Sequence, residues 1–348
     1  VAAGRSAPGP GDSGRPGGPG RGGGRPSPRL VGMLGYFGPA GTFTHQALLS
    51  YSTAEAIPFR TVAQALDAVR AGRVEAVMVP IENSVEGGVS ATLDNLADPG
   101  AEPLRILHEV LVGVRFTLCA RPGTGIDRIR RVITHPHAAA QVRDWLAENL
   151  PGAEIIERGS TAGAARTVAD PDSGFDAAVC AAVAGEMYGL VPLATDIADN
   201  DAAVTRFVLV ARPGHGPAPT GADKTTLVAH IAHDEPGALL AILQQLAVRG
   251  VNLCRIESRP TKTALGSYCF SMDAEGHIAD ARMAEALKGL RRICKEVVFL
   301  GSYPRADGVR PVLRPGAGNG DYEAASQWFA GLEATMTDTA PGSTSASK

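Results

Sequence analysis

The sequence predicts an α/β chain of two parts, a unit of alternating strands and helices followed by a smaller ferredoxin-like βαββαβ unit. Three observations carry this. Strand-like apolar runs alternate with helix-like ones from Leu34 to Ala211. From Lys224 the rhythm becomes strand, helix, strand, strand, helix, strand. Between the two lies a Gly/Pro-rich stretch, residues 213–221, that reads as a linker. The 348 residues also exceed the size at which a single core usually stops growing.

In chain order, the first unit opens with a strand at 34–37, helices at 44–50 and 62–71, and a strand at 76–80. Further strands fit 105–110, 131–134, 154–157, 177–180 and 206–211, and helices fit 138–149, 161–169 and 181–188. This alternation predicts a largely parallel sheet with helices on both faces, in which ligands meet the loops at the carboxyl ends of strands. The second unit reads as strand 225–232, helix 236–249, strands 254–259 and 267–272, helix 279–290 and strand 296–302. In its first helix Leu239, Leu240, Leu243, Leu246 and Ala247 recur at the spacing that packs one face on a sheet.

Residues 1–30 hold ten Gly, six Pro and five Arg against one acid, too little apolar surface to offset the entropy of ordering, and read as disordered. Met33 stands directly before the first strand, so the first 32 residues are expected to be an over-extended reading of the gene. The far end is rich in Gly, Ser, Thr and Ala, with one short helix around 322–332. The expected boundaries are a disordered extension at 1–32, a first domain at 33–212, a linker at 213–223, a second domain at 224–303 and a mostly disordered tail at 304–348.

A charged fraction of 20% and a net charge of -3 leave no basic excess for nucleic acid or anionic lipid. Cys119, Cys180, Cys254, Cys269 and Cys294 are odd in number, widely spaced and without a C-x-x-C pair, which argues against a disulfide framework and a structural zinc site and for a reducing cytoplasm. No run approaches the roughly 20 apolar residues of a membrane span. Nor does the start resemble an export signal.

Four segments place glycines, hydroxyls or polar groups directly after an apolar strand, as anion-binding loops do. The first is Gly38-Pro39-Ala40-Gly41-Thr42-Phe43-Thr44, where glycines let backbone approach a ligand and the turn feeds a helix N-terminus. The second, Pro80-Ile81-Glu82-Asn83-Ser84, ends a strand with an acid, an amide and a hydroxyl in a row; helix capping by Asn83 or Ser84 explains one of those two better than both. The third, Gly159-Ser160-Thr161-Ala162, suits an anion or a plain N-cap. The fourth, Thr205-Arg206-Phe207, puts a hydroxyl and a guanidinium at the mouth of an apolar strand, where Arg206 can fork onto a carboxylate or simply lie on the surface. His135 and His137 flank a proline and fit turn capping. His230 and His233 are three apart on a strand, face opposite sides and make no metal pair.

In this order, G-P-x-G-T-F, P-I-E-N-S-x-x-G, T-H-P-H-A, S-T-A-x-A-A and T-R-F resemble the motifs of prephenate dehydratases across residues 34–210. The following unit resembles that family's ACT regulatory domain, with Gly237-Ala238-Leu239-Leu240 opening a helix and Glu257-Ser258-Arg259-Pro260 ending a strand. The resemblance implies a two-lobed, periplasmic-binding-protein-like (type 2) catalytic domain without metal or cofactor. It implies decarboxylative dehydration of prephenate to phenylpyruvate, with Thr205, Ser84 and Asn83 catalytic and Thr42, Gly41, Glu82, Ser160, Thr161, Arg206 and Phe207 binding substrate. Glu82, a carboxylate facing a dianion, is expected to orient neighbouring backbone or Arg206. Asn200 lies five residues before Thr205, farther than is common in relatives, and is left out of the catalytic set. The effector implied is L-phenylalanine, held by Gly237, Ala238, Leu239, Asn252, Leu253, Glu257, Ser258, Arg259 and Pro260 at the interface of a homodimer or homotetramer. Arogenate as substrate, or a non-catalytic amino-acid sensor, are the alternatives. A fused chorismate mutase does not fit the Gly/Pro-rich extension.

Overall fold

The computed structural model describes residues 32–85, 87–200, 202–214, 216–261 and 268–337. The disorder expected for the N-terminal extension, Gly32 apart, and for the last eleven residues of the tail lies outside them.

The first lobe begins β1 (Leu34–Phe37), α1 (Phe43–Tyr51), β2 (Ala56–Phe59), α2 (Val62–Arg70), β3 (Ala76–Asn83), β4 (Gly87–Gly88), α3 (Ser90–Ala97) and β5 (Arg105–Gly113). The chain then crosses to β6 (Thr117–Ala120), β7 (Arg131–Thr134), α4 (Pro136–Gln141), α5 (Arg143–Asn149) and β8 (Glu154–Glu157). That second lobe continues with α6 (Thr161–Ala169), β9 (Ala177–Cys180), α7 (Ala182–Met187) and β10 (Val191–Ala194), and the chain returns to the first lobe as β11 (Val204–Ala211). The C-terminal unit is β12 (Asp223–Ile231), α8 (Ala238–Ala247), β13 (Leu253–Pro260), β14 (Tyr268–Glu275), α9 (Ala281–Ile293) and β15 (Cys294–Pro304), followed by α10 (Asn319–Thr337).

Instead of one largely parallel sheet, the alternating region forms two mixed ones, ordered β2-β1-β3-β11-β5 with β4 on the end of β3, and β10-β6-β9-β7-β8. The mixture follows from the crossing. β11 enters the first sheet from the second lobe's side and therefore runs antiparallel to both β3 and β5. The two crossing segments are tied to each other by Val114 N–H to Ala203 O at 2.8 Å and Ile197 N–H to Phe116 O at 3.0 Å. The third sheet, β13-β14-β12-β15, has the expected βαββαβ connectivity.

Several differences from the sequence reading have local causes. β2 and β10 each contain a proline, which argues against a strand by pattern but is tolerated on a sheet edge, where both lie. The helix expected at 138–149 breaks at Val142 (φ -128°, ψ 15°), because the Asp199 carboxylate accepts from Asp144 and Trp145 N–H, both at 3.1 Å, and caps a new helix there. The tail helix is 19 residues long and almost wholly exposed.

The C-terminal sheet does not hang from a free linker. Val228, Cys269, Leu300 and Tyr303 share one buried cluster with Val77, Val79, Val208 and Val210 of the first lobe. Gly301 sits at a register shift of β15 with φ 134°, and a Cβ there would collide with the backbone carbonyl of Ile106 on β5. Backbone on both sides leaves nothing to yield. Gly301→Ala is expected to lower stability by about 2 kcal/mol, from left-handed strain and overpacking together, seen as a lower midpoint in urea unfolding. An unchanged midpoint would show that the two sheets slide freely.

Candidate active site

The parallel strands of both lobes aim their carboxyl ends at the same gap. In the first lobe the Gly38-to-Thr44 loop follows β1, and β3 runs on to Asn83; in the second, Ser160 follows β8 and α7 follows β9. Gly41 (φ 86°) marks where they meet, since a Cβ on it would lie 3.1 Å from Ala184 Cβ and 3.4 Å from Ala162 Cβ. Phe43 packs in the cores of both lobes, its ring edge-on to Phe116 at 5.7 Å. Loops distant in sequence are thereby brought face to face.

Two helix starts border this junction. Thr42 caps α1 by accepting from His45 N–H at 3.4 Å and donates to Pro39 O at 3.0 Å, so its hydroxyl serves the turn. His45 in turn accepts from Gly41 N–H at 3.2 Å, and burial lowers its pKa, favouring the neutral ring this bond requires. Ser160 caps α6 by accepting from Gly163 N–H at 3.0 Å, leaving its own O–H to donate, and Thr161 opens the helix. Both N-termini concentrate unpaired N–H groups and partial positive charge where an anion would sit.

The ends of β3 and β11 form the third side. Thr205 stands opposite Asn83, and Asn83 Nδ2 donates to Thr205 Oγ1 at 2.9 Å while its Oδ1 accepts from Val85 N–H at 2.8 Å. The amide is locked by the turn, and the threonine oxygen is occupied as an acceptor. Its proton remains to be donated, and a hydroxyl that accepts one bond donates the next more strongly. Ser84 Oγ accepts from Val204 N–H at 2.9 Å, tying the two strand ends together.

Two substrate-binding expectations, Arg206 and Phe207, are corrected by direction. Arg206, next to Thr205, points to the opposite face of β11, as alternation along a strand requires. It is 5% exposed, with Nε to Glu109 at 2.7 Å, Nη1 to Glu82 at 3.3 Å and to Asp273, and Nη2 to Tyr303 Oη at 2.6 Å. It has no fork to offer a ligand. Burial alone would lower its pKa, but Asp273, Tyr303 and Glu109 raise it well above the ordinary value, so it stays charged. Glu82 pairs with Arg206, one of the partners it was expected to orient. Phe207, 2% exposed, is core, packed with Leu34, Leu48, Val110 and Val112.

Apart from Glu82, sequence reasoning missed the partners of Arg206. Glu109 also accepts from Lys224 Nζ at 2.9 Å and Ala306 N–H at 2.8 Å, and its pKa is lowered because Arg206 and Lys224, with the Ala306 N–H, outweigh its burial. Asp273, wholly buried, accepts from Arg206, from Arg255 Nε at 2.9 Å and from Thr226 Oγ1 at 2.6 Å; despite burial it is held far below the usual carboxylate range. An acid inside an apolar strand run was the available signal.

The expected effector residues divide. Gly237 (φ 93°), Ala238, Leu239 and Ser258 line one cavity of about 440 Å³, Asn252 and Leu253 another of about 570 Å³, and Arg259 and Pro260 a third of about 560 Å³ against α3. Within one chain they do not form one site. Glu257 and Arg259 instead face the first lobe: Arg259 bonds Asp94 at 2.6 Å, and the Glu257 carboxylate fills the space a Cβ on Gly88 would need.

Residues 34–215 match the family model described as Prephenate dehydratase. The chain is 50% identical to a prephenate dehydratase of Amycolatopsis methanolica over 303 residues, covering 86% of this chain and 97% of that one. Among solved structures, the prephenate dehydratase of Arthrobacter aurescens in complex with L-Phe is 49% identical with a TM-score of 0.82, covering 86% of this chain and 99% of that chain. GqqA, described as a quorum quenching acylase, is 34% identical with a TM-score of 0.70, covering 78% and 97%.

Proposed function

The chain belongs to the prephenate dehydratase family of carbon–oxygen lyases, and from that premise we propose that it dehydrates and decarboxylates prephenate at the junction of its two lobes, with Thr205 as the proton donor. The observation that carries the assignment is the Asn83–Thr205 bond at the mouth of the cleft. Prephenate loses its ring carboxylate as carbon dioxide. The electron pair of that C–C bond enters the ring, the para C–O bond breaks, and the departing oxygen takes the proton of Thr205 to leave as water; solvent then restores the threonine proton. A threonine hydroxyl is a weak acid, and it serves because the leaving oxygen grows strongly basic as the bond breaks, assistance typically worth roughly 100- to 10,000-fold.

With Arg206 committed to protein partners, the two carboxylates of prephenate fall to neutral donors: the helix starts at Thr42 and Thr161 and the hydroxyls of Ser160 and Ser84. Neutral cradles suit a reaction that must release one of those carboxylates, because a tight ion pair would hold it in place. Acyl transfer, the chemistry named for GqqA, is not favoured: the oxygens of Ser84 and Thr205 accept from Val204 N–H and the Asn83 amide, which are donors and not bases.

We place L-phenylalanine as effector between two C-terminal domains, in the cytoplasm. β13 is a sheet edge, and Leu240 and Ile256 beside it are 58% and 43% exposed, a surface suited to side-by-side pairing into a homodimer or homotetramer. Such pairing would bring Asn252 and Leu253 of one copy near Gly237 and Ser258 of the other. Steady-state formation of phenylpyruvate from prephenate, with and without phenylalanine and beside arogenate, tests this. Turnover of prephenate at least tenfold above arogenate, lowered by phenylalanine with a change in oligomer size, is the expected result. Absence of phenylpyruvate would overturn the assignment.

A further inference from the structure

We propose that Asp273 of the C-terminal domain is a positioning residue for the dehydration, fixing through Arg206 the end of β11 that carries Thr205. The inference rests on the reading of Thr205 as proton donor. Its basis is the register of β11. Thr205 pairs with Asn83 and Arg206 with Glu82, but Phe207 pairs with Pro80, so the ladder slips by one residue directly behind the catalytic pair. The extra residue, Ile81, lies on β3, while the ladder from β11 to β5 runs unbroken through these positions; β11 is thus held firmly from one side only, and on the β3 side the remaining constraint must come from side-chain bonds.

Arg206 supplies that constraint, and the C-terminal domain holds it. Of its four bonded partners, Asp273 and Tyr303 come from that domain, and Glu109 is itself gripped by Lys224 and Ala306 N–H from the same domain. Asp273 ties this group together. It is fully buried and takes bonds from Arg206, Arg255 and Thr226, while Thr226 also bonds Tyr303. A buried ion cluster is a poor device for stability alone, since well-packed apolar residues often do as well or better. Its position, one peptide away from the reacting hydroxyl and on the opposite face of the same strand, matches a role in direction. A displacement of about 1 Å at a reacting group can cost about 100-fold in rate.

The test is a set of cycles measuring kcat and KM for prephenate. Asp273→Asn and Tyr303→Phe are each made in the parent and in Thr205→Ala, with folding checked by circular dichroism. Asp273→Asn is expected to lower kcat about tenfold or more while KM stays within about threefold, and to add less than about twofold once Thr205 is gone. Tyr303→Phe keeps the packing and removes one bond to Arg206; a kcat loss of about threefold that vanishes in the Thr205→Ala background is expected, and this variant decides the matter if Asp273→Asn does not fold. A parent-like kcat in the folded variants, or a loss that persists undiminished without Thr205, overturns the proposal. Near-normal turnover by Thr205→Ala alone is a separate result, and it removes Thr205 from the mechanism.

Discussion

Thr205→Ala is expected to turn over prephenate about 100-fold more slowly than the parent, and at least tenfold more slowly, with the fold intact. The size follows from the role. Thr205 Oγ1 is fixed by the Asn83 amide, itself fixed by Val85 N–H, so its proton is held in place for the leaving hydroxide. The cost in stability is small, because Thr205 is half-buried and its loss leaves one amide donor short of an acceptor, about 1 kcal/mol. Thr205→Ser, which keeps the hydroxyl but frees its rotamer, should recover part of the rate. Phenylpyruvate formation under saturating prephenate reads kcat directly. Thr205→Ala turnover above about a third of the parent's would assign the proton to another donor.

Gly41→Val should be almost as damaging, by a different route. The residue adopts φ 86°, a left-handed conformation that costs an L-residue about 1–2 kcal/mol and a β-branched one more. Its side chain would also press on the second lobe, where a first Cβ already lies 3.2 Å from Ala184 Cα. The lobes must separate to make room. The helix starts at Thr42 and Thr161 then no longer reach one substrate together, and kcat/KM is expected to fall about 100-fold, with much of the loss in KM. Thermal unfolding on the same preparation distinguishes a spread cleft from a collapsed fold. A variant of near-normal kcat/KM would show that the close approach at Gly41 is not needed for binding.

Arg206 shows where sequence reasoning stops. Period-two alternation separates it from Thr205 without structure, but alternation does not say which face of β11 meets the cleft. That depends on where the C-terminal sheet packs, and Val208, Val210, Leu300 and Tyr303 place it on the face of Arg206. Phe207 then shares the face of Thr205 but falls one step deeper, in the core beneath α1. The short strands β2, β6 and β10 were hidden for a related reason: four residues carry too little pattern, and their pairing is set by neighbours far away in the chain.

By itself the sequence determined what is local: the two-unit organisation, the βαββαβ order of the second unit, and the succession of glycine and hydroxyl loops after strands that marks the family. These are legible because backbone conformation, capping and apolar spacing act over a few residues. Only the tertiary structure decided that β11 returns antiparallel, that Arg206 turns to the C-terminal domain, and that the effector segments lie apart within one chain. Those outcomes depend on burial and charge pairing between residues more than sixty positions apart, such as Arg206 with Glu109 and Asp273. A buried charge must find its partner in space, and neighbours in sequence carry no record of which partner that is.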